Sequence, residues 1–261
     1  MIPEFARLDA QFVEYFRETG RWQLGSEAQE QDGLLLVAGT LRFAGMVNLA
    51  ARLDPALSPA SVLARAREFF HARGRGFSLY IRGEPDRDLE EHARVEGLFA
   101  PSEAGPWMVL RQRPAEAPEL PGIRLAAVTD ARGLDDVRAV SREAYEPTGL
   151  PHEVTDSAFA HESAVLAPHI HFVVAWEGDV PLATAGCMLH DGVAGIYWVG
   201  TRDAARRRGL GTLVTHAAVH WGFDQGADLS ALQASEMGFP IYQAMGFETF
   251  ATSRLFIVAG P

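Results

Sequence analysis

The chain has 261 residues, 48% of them hydrophobic, and a formal net charge of −11. That length and apolar content are enough for one large domain or two ordinary ones, and they exclude a disordered chain. The acidity excludes broad nucleic-acid binding, which needs a basic face, because the arginines at 202 and 206–208 are too local to supply one.

A single cysteine, Cys187, rules out an internal disulfide and a cysteine-based zinc framework, which fits a reducing compartment. Glu4, Arg7, Asp9 and Glu14 interrupt the first turns, so no leader is expected, and no apolar run is long enough to span a bilayer. The expectation is a soluble cytoplasmic protein.

Residues 3–19 read as a helix with Phe5, Leu8, Phe12, Tyr15 and Phe16 on one side and Gly20 after its end. Residues 34–38 and 40–49 are strand candidates, the second with a possible bulge at Gly45. A helix is expected over 60–73, a strand over 77–81, a charged helix over 86–96 closed by Gly97, and a strand over 107–110. Pro114, Pro118 and Pro121 then form a stiff, exposed connector.

Beyond it come a strand over 123–128 and a helix that Asp130 caps and that runs to about Tyr145. A second helix is expected over 153–166, then strands over 172–176 and 182–189. Asp191-Gly192 makes a hairpin turn into a strand over 193–200. From Leu210 the apolar residues Leu213, Val214, Ala217, Ala218 and Trp221 keep helical spacing. A strand over 228–233, a short helix over 239–245 ending at Gly246, and a strand over 254–258 complete the chain.

The junction between the strand at 193–200 and the long helix is chemically odd. A helix N-terminus carries free N–H groups and partial positive charge, yet Arg206, Arg207 and Arg208 crowd it, a repulsion of roughly 0.3–1 kcal/mol per charge. An anion would reverse that sign, and Gly209 and Gly211, lacking Cβ, would let a phosphate reach the backbone. The element order also repeats: helix 60–73 to strand 107–110 parallels helix 209–226 to strand 254–258. The first copy has neither the glycine pair before its long helix nor a tyrosine in its short one.

Arg206-x-x-Gly209-x-Gly211 resembles the coenzyme A pyrophosphate loop of the GNAT superfamily of acyl-coenzyme A-dependent N-acetyltransferases. Tyr242-x-x-x-Gly246-Phe247 is similar to that family's thiol-side helix. The resemblance covers about residues 122–258. It implies an α/β fold with a mixed sheet and a catalytic domain over 122–261, while the repeated element order makes residues 1–113 a degenerate GNAT-like domain and the prolines make 114–121 the linker. It also implies direct transfer of an acetyl group from acetyl-CoA to a primary amine of a small molecule or peptide, in a monomer or homodimer. No metal, nucleic acid or membrane is expected.

The resemblance assigns cofactor binding to Val199, Gly200, Thr201, Arg206, Arg207, Arg208, Gly209, Leu210, Gly211 and Thr212. It makes Tyr242 the general acid and Ser235 a polar residue near the reacting centre. Many relatives draw a general base from the central strand, but Ile196-Tyr-Trp-Val199 has no carboxylate. Glu146, His152, Glu153 or water remain open for that role. The alternative is a catalytically silent acyl-CoA-binding sensor or docking protein. His216 and His220 have a metal-like i, i+4 spacing with no third ligand apparent and read as structural, as do His169 and His171.

Overall fold

Apolar periodicity organises the first helix, α1 (Glu4–Trp22), which buries Leu8, Phe12, Val13 and Tyr15. The computed structural model describes residues 3–45, 47–117 and 119–261. After α1 come the hairpin strands β1 (Glu27–Gln31) and β2 (Leu34–Ala38), turned by Asp32 and Gly33 at positive φ. Next are β3 (Asn48–Arg52), α2 (Pro59–His71), β4 (Phe77–Ile81), α3 (Arg87–Val95) and β5 (Gly105–Leu110). The second half holds β6 (Ile123–Ala127), α4 (Ala131–Tyr145), α5 (His152–Ala158), α6 (Glu162–Val165) and β7 (Ile170–Glu177). It continues with β8 (Val180–His190), β9 (Val193–Thr201), α7 (Leu210–Asp224), β10 (Leu229–Gln233), α8 (Phe239–Ala244) and β11 (Glu248–Val258).

The chain forms two compact units. One takes α1 as far as Tyr15 together with Met108–Glu248; the other takes Phe16–Trp107 and Thr249–Pro261. In the larger unit β6, β7, β8 and β9 are successively antiparallel, and β9 runs parallel to β10 with α7 as the crossover. Its core joins Val173, Ala185, Ile196, Leu210, Val214, Ala218, Tyr242 and Phe247, and it includes Met108 and Leu110 of β5. In the smaller unit β1, β2 and β3 are antiparallel and β3 runs parallel to β4 across α2, the same crossover in the other half of the chain. Its core joins Leu34, Leu36, Val62, Phe70, Phe77 and Leu79 to Phe256 and Val258 of β11.

Several expectations need correcting. The first helix does not stop before Gly20 but continues to Trp22; a Cβ on Gly20 would stand 3.0 Å from Val37, so the glycine lets the helix lie close to β2. The strand expected over 40–49 forms only from Asn48. The buried Asn48 amide donates to the carbonyls of Leu41 and Phe43 and its Oδ1 accepts from the Gly39 N–H, satisfying a loop instead of a ladder. Met46, within that span, lies outside the described residues.

The helix expected over 153–166 is broken, because Phe159 turns into the core, 4.7 Å from the Trp198 ring and 5.6 Å from Phe172. The proline-rich segment is exposed but tethered: Arg113 pairs with Asp224 at 3.2 Å, while Pro114 and Glu116 are bound by His220 of α7. Pro118 lies outside the described residues. Among those described, no helix is long and apolar enough to cross a membrane.

Candidate active site

The site is built around the second half of β9. Its pairing with β10 runs from Val193–Leu229 to Ile196–Leu232 and stops there, so the two parallel strands part beyond Ile196. On the other side β9 keeps β8, but with a bulge: Ala185 faces both Trp198 and Val199, between the pairs Thr184–Gly200 and Gly186–Tyr197. Trp198 takes φ +53°, a left-handed conformation that costs a bulky residue about 1–2 kcal/mol. Phe159 at 4.7 Å and Tyr145 at 5.3 Å wall its ring.

The Arg202 N–H donates to the Leu182 carbonyl at 2.9 Å, so Arg202, and by alternation Gly200, turn their backbone groups toward β8. The Val199 carbonyl and the Thr201 N–H, each in a planar peptide with Gly200, therefore face the parted side. There the Tyr145 hydroxyl donates to the Val199 carbonyl at 3.1 Å. Gly200 suits this place because a Cβ would stand 2.9 Å from that of Ala144, where the end of α4 presses on the strand. Val199 and Thr201 thus turn a carbonyl and an N–H to the parted side, groups of the kind an amide-bearing chain bonds, while Gly200 keeps its own toward β8.

The loop that follows delivers the N-terminus of α7. Gly209 sits at φ +80° as its N-cap, with no side-chain hydrogen bond to the first turn. A Cβ on Gly211 would stand 3.4 Å from Thr201 Oγ1, an ordinary contact, so the backbone there is open to a ligand. The N–H groups of Leu210, Gly211 and Thr212 thus suit an anion such as a diphosphate.

The arginines are less free than their sequence suggests. Arg206 pairs with Asp203 at 3.0 Å, Arg208 with Glu177 at 2.5 Å and Arg202 with Glu143 at 3.6 Å. Arg208 in turn holds the Glu177 carboxyl below its ordinary range. Arg207, at φ +60°, is exposed and has no carboxylate partner among the described residues. The crowding expected at the helix end is therefore largely relieved within the protein, and Arg207 is the side chain left for an incoming anion.

Tyr242 is buried on α8, with its ring 6.1 Å from Phe247 and packed over Gly238. Burial pushes its phenol up to about 12, so it is protonated at neutral pH. Ser235 is exposed, and its Oγ accepts from the Gly238 N–H at 3.1 Å, a bond that shapes the turn into α8. Glu146 and His152 are exposed and lie 4.0 Å apart after α4.

The sequence reading did not single out Tyr145 as part of the site. Burial raises its phenol well above the ordinary range, and the Tyr242 and Tyr15 phenols, near enough to act through their charge, raise it further. Nor did it single out α1, whose Tyr15 stacks on Tyr197 at 3.6 Å. Gln11 of α1 accepts from the Tyr197 hydroxyl at 2.9 Å and donates to the Met188 carbonyl at 2.5 Å. An aromatic residue on an amphipathic face carries no mark that tells a hydroxyl placed at a strand edge from one that merely packs.

His216 and His220 serve the connector. The His220 ring lies 3.0 Å from both the Pro114 carbonyl and the Glu116 carboxylate, and the His216 ring packs edge-on against it at 5.7 Å.

Residues 134–247 match the model of the acetyltransferase (GNAT) family. A comparison with curated proteins found no match. Among solved structures, a GCN5-related N-acetyltransferase from Kribbella flavida is similar at TM-score 0.75 and 22% identity, covering 97% of this chain and 96% of its own. A GCN5-related N-acetyltransferase from Sphaerobacter thermophilus reaches TM-score 0.62 at 18% identity, covering 99% of this chain and 93% of its own. A tandem GNAT protein from the clavulanic acid biosynthesis pathway reaches 0.63 at 17%, covering 87% of this chain and 79% of its own. At these identities the likeness is one of fold. Residues 134–247 thus carry the match to the GNAT acetyltransferase family, in a chain that shares its mixed-sheet fold with GNAT proteins, a tandem one among them.

Proposed function

We propose that the protein is an N-acetyltransferase that moves an acetyl group from acetyl-CoA directly to a primary amine of a small molecule or peptide. The observation that carries this reading is the uncapped N-terminus of α7 beside the parted strands β9 and β10, with a protonated phenol buried on α8. Acetyl-CoA supplies an activated acyl group. The N–H groups of Leu210, Gly211 and Thr212 bind its diphosphate, with Arg207 as the available cation. The carbonyl and N–H groups of Val199 and Thr201 guide the pantetheine arm along the open edge.

The N–H of Val199, at the bulge, is the donor for the oxygen on which charge builds during transfer, a role worth roughly 2.7–4 kcal/mol where it has been removed elsewhere. Tyr242 gives its proton to the departing sulfur. Ser235 holds the turn that presents Tyr242. β9 carries no carboxylate after Ile196, so the amine loses its proton through Glu146, His152 or Glu153, or through water.

Thiol release from acetyl-CoA across an amine panel tests this, with Tyr242→Phe as the companion variant. We expect turnover with at least one amine and a fall in kcat of about tenfold or more in the variant, with CoA affinity nearly unchanged. Binding of acetyl-CoA without turnover for any amine would favour the silent sensor, and unaltered kcat in Tyr242→Phe would remove that residue from the chemistry.

A further inference from the structure

We propose that Tyr145 is a positioning residue for acyl transfer: its hydroxyl holds the Val199 carbonyl and thereby keeps the left-handed bulge at Trp198 in the shape the reacting centre requires. The inference rests on the acetyltransferase reading above. It starts from a conflict in β9. A tryptophan at φ +53° in a strand should relax toward extended geometry unless its neighbours prevent it.

Three observations supply the restraint. The Tyr145 hydroxyl donates to the carbonyl of the next residue, Val199, at 3.1 Å. The Tyr145 and Phe159 rings close two sides of the Trp198 indole. The end of α4 is pressed against β9 at Gly200, where even a methyl group would not fit beside Ala144.

Of these, only the Tyr145 bond acts on the peptide group itself. Since β10 no longer pairs beyond Ile196, nothing in the sheet on that side fixes the Val199 carbonyl. The bond therefore determines the tilt of the backbone at Val199, whose N–H is the donor assigned to the developing oxyanion. A carbonyl oxygen has two lone pairs, so the clamp also leaves one acceptor position for the pantetheine arm.

Tyr145→Phe removes one oxygen and keeps the ring that walls Trp198. We expect kcat to fall about five- to twentyfold, the value of one well-placed hydrogen bond, with the KM and Kd for acetyl-CoA within about twofold of wild type. Trp198→Gly supplies the second arm, because glycine takes positive φ without strain. In that background the same Tyr145→Phe change should cost less than about threefold, a non-additive cycle that a purely structural role would not produce. Additive losses, a raised KM with unchanged kcat, or a melting temperature lower by more than about 10 °C in Tyr145→Phe would each overturn the inference. A wild-type protein that releases no thiol overturns the acetyltransferase reading and this inference together, whereas an active wild type matched by Tyr145→Phe overturns this inference alone.

Discussion

The two crossover helices make the sharpest contrast in the molecule. Both α2 and α7 join parallel strands, β3 to β4 and β9 to β10, and both pack an apolar face on their sheet. They differ at their first turns. Ser58 caps α2, its Oγ accepting from the Ser61 N–H at 3.3 Å, and Pro59 follows. Beneath that turn, the buried Arg52 spends its guanidinium on Asp86, Asp88 and the carbonyls of Leu57 and Pro85. The α7 end has a glycine in the capping place and, among the described residues, no side-chain cap for its N–H groups. The same strand–helix–strand crossover thus yields one closed helix end and one open one, and local capping chemistry makes the difference.

The largest effect that would break this contrast is expected at Gly211. Gly211→Leu should raise the Kd for coenzyme A by about 30-fold or more, roughly 2 kcal/mol, by blocking close approach to the backbone. Ala60→Leu, at the matching first turn of α2, should leave that Kd unchanged; calorimetric titration reads both. Equal effects at the two ends would mean that α7 is not the anion site.

A smaller loss is expected at the closed end. Ser58→Ala should cost about 1 kcal/mol of stability, a drop of about 2–4 °C in Tm, with coenzyme A affinity unaltered. Measurable weakening of coenzyme A binding in that variant would tie the first crossover to the site.

The smallest effect concerns pH and the outer side of α7. His171 stacks on Trp221 at 4.7 Å, and burial holds its imidazole below the ordinary value of 6.5. Burial first, and then its neighbour His220, likewise lower His216. The unfolded chain takes up these protons first, so the stabilisation is present above pH 6.5 and is lost as pH falls through the folded-state values. Tm should drop by about 1–3 °C between pH 7.5 and 5.5. In His171→Phe the drop should shrink; a melting temperature flat across that window in the parent protein would argue against it.

Much of this was legible in the sequence because long periodic segments and glycine punctuation are local signals. The face from Leu210 to Trp221, the strand before it and the stop at Gly246 all appear where expected. Other features depend on residues far apart in the chain. Nothing near Arg206–Arg208 tells that Glu177 neutralises Arg208, or that Glu143 supports the loop through Arg202 and the Asp203 N–H. The bulge at Trp198 was equally hidden, since no glycine or asparagine marks the left-handed residue. The broken helix after 158 reflects the pull of the core on Phe159, which outweighs helical spacing.

The division into compact units carries a consequence for how such a chain can change. Each half of the sequence contributes its final strand to the other's interior: Met108 and Leu110 share a core with Tyr242, and Phe256 and Val258 share one with Phe70. A gene severed at the prolines would encode two polypeptides, each short of a β-strand that fills its own centre. The amino-terminal portion, though it lacks the open helix end, therefore cannot be discarded by simple deletion, and the two portions are constrained to be inherited as one reading frame.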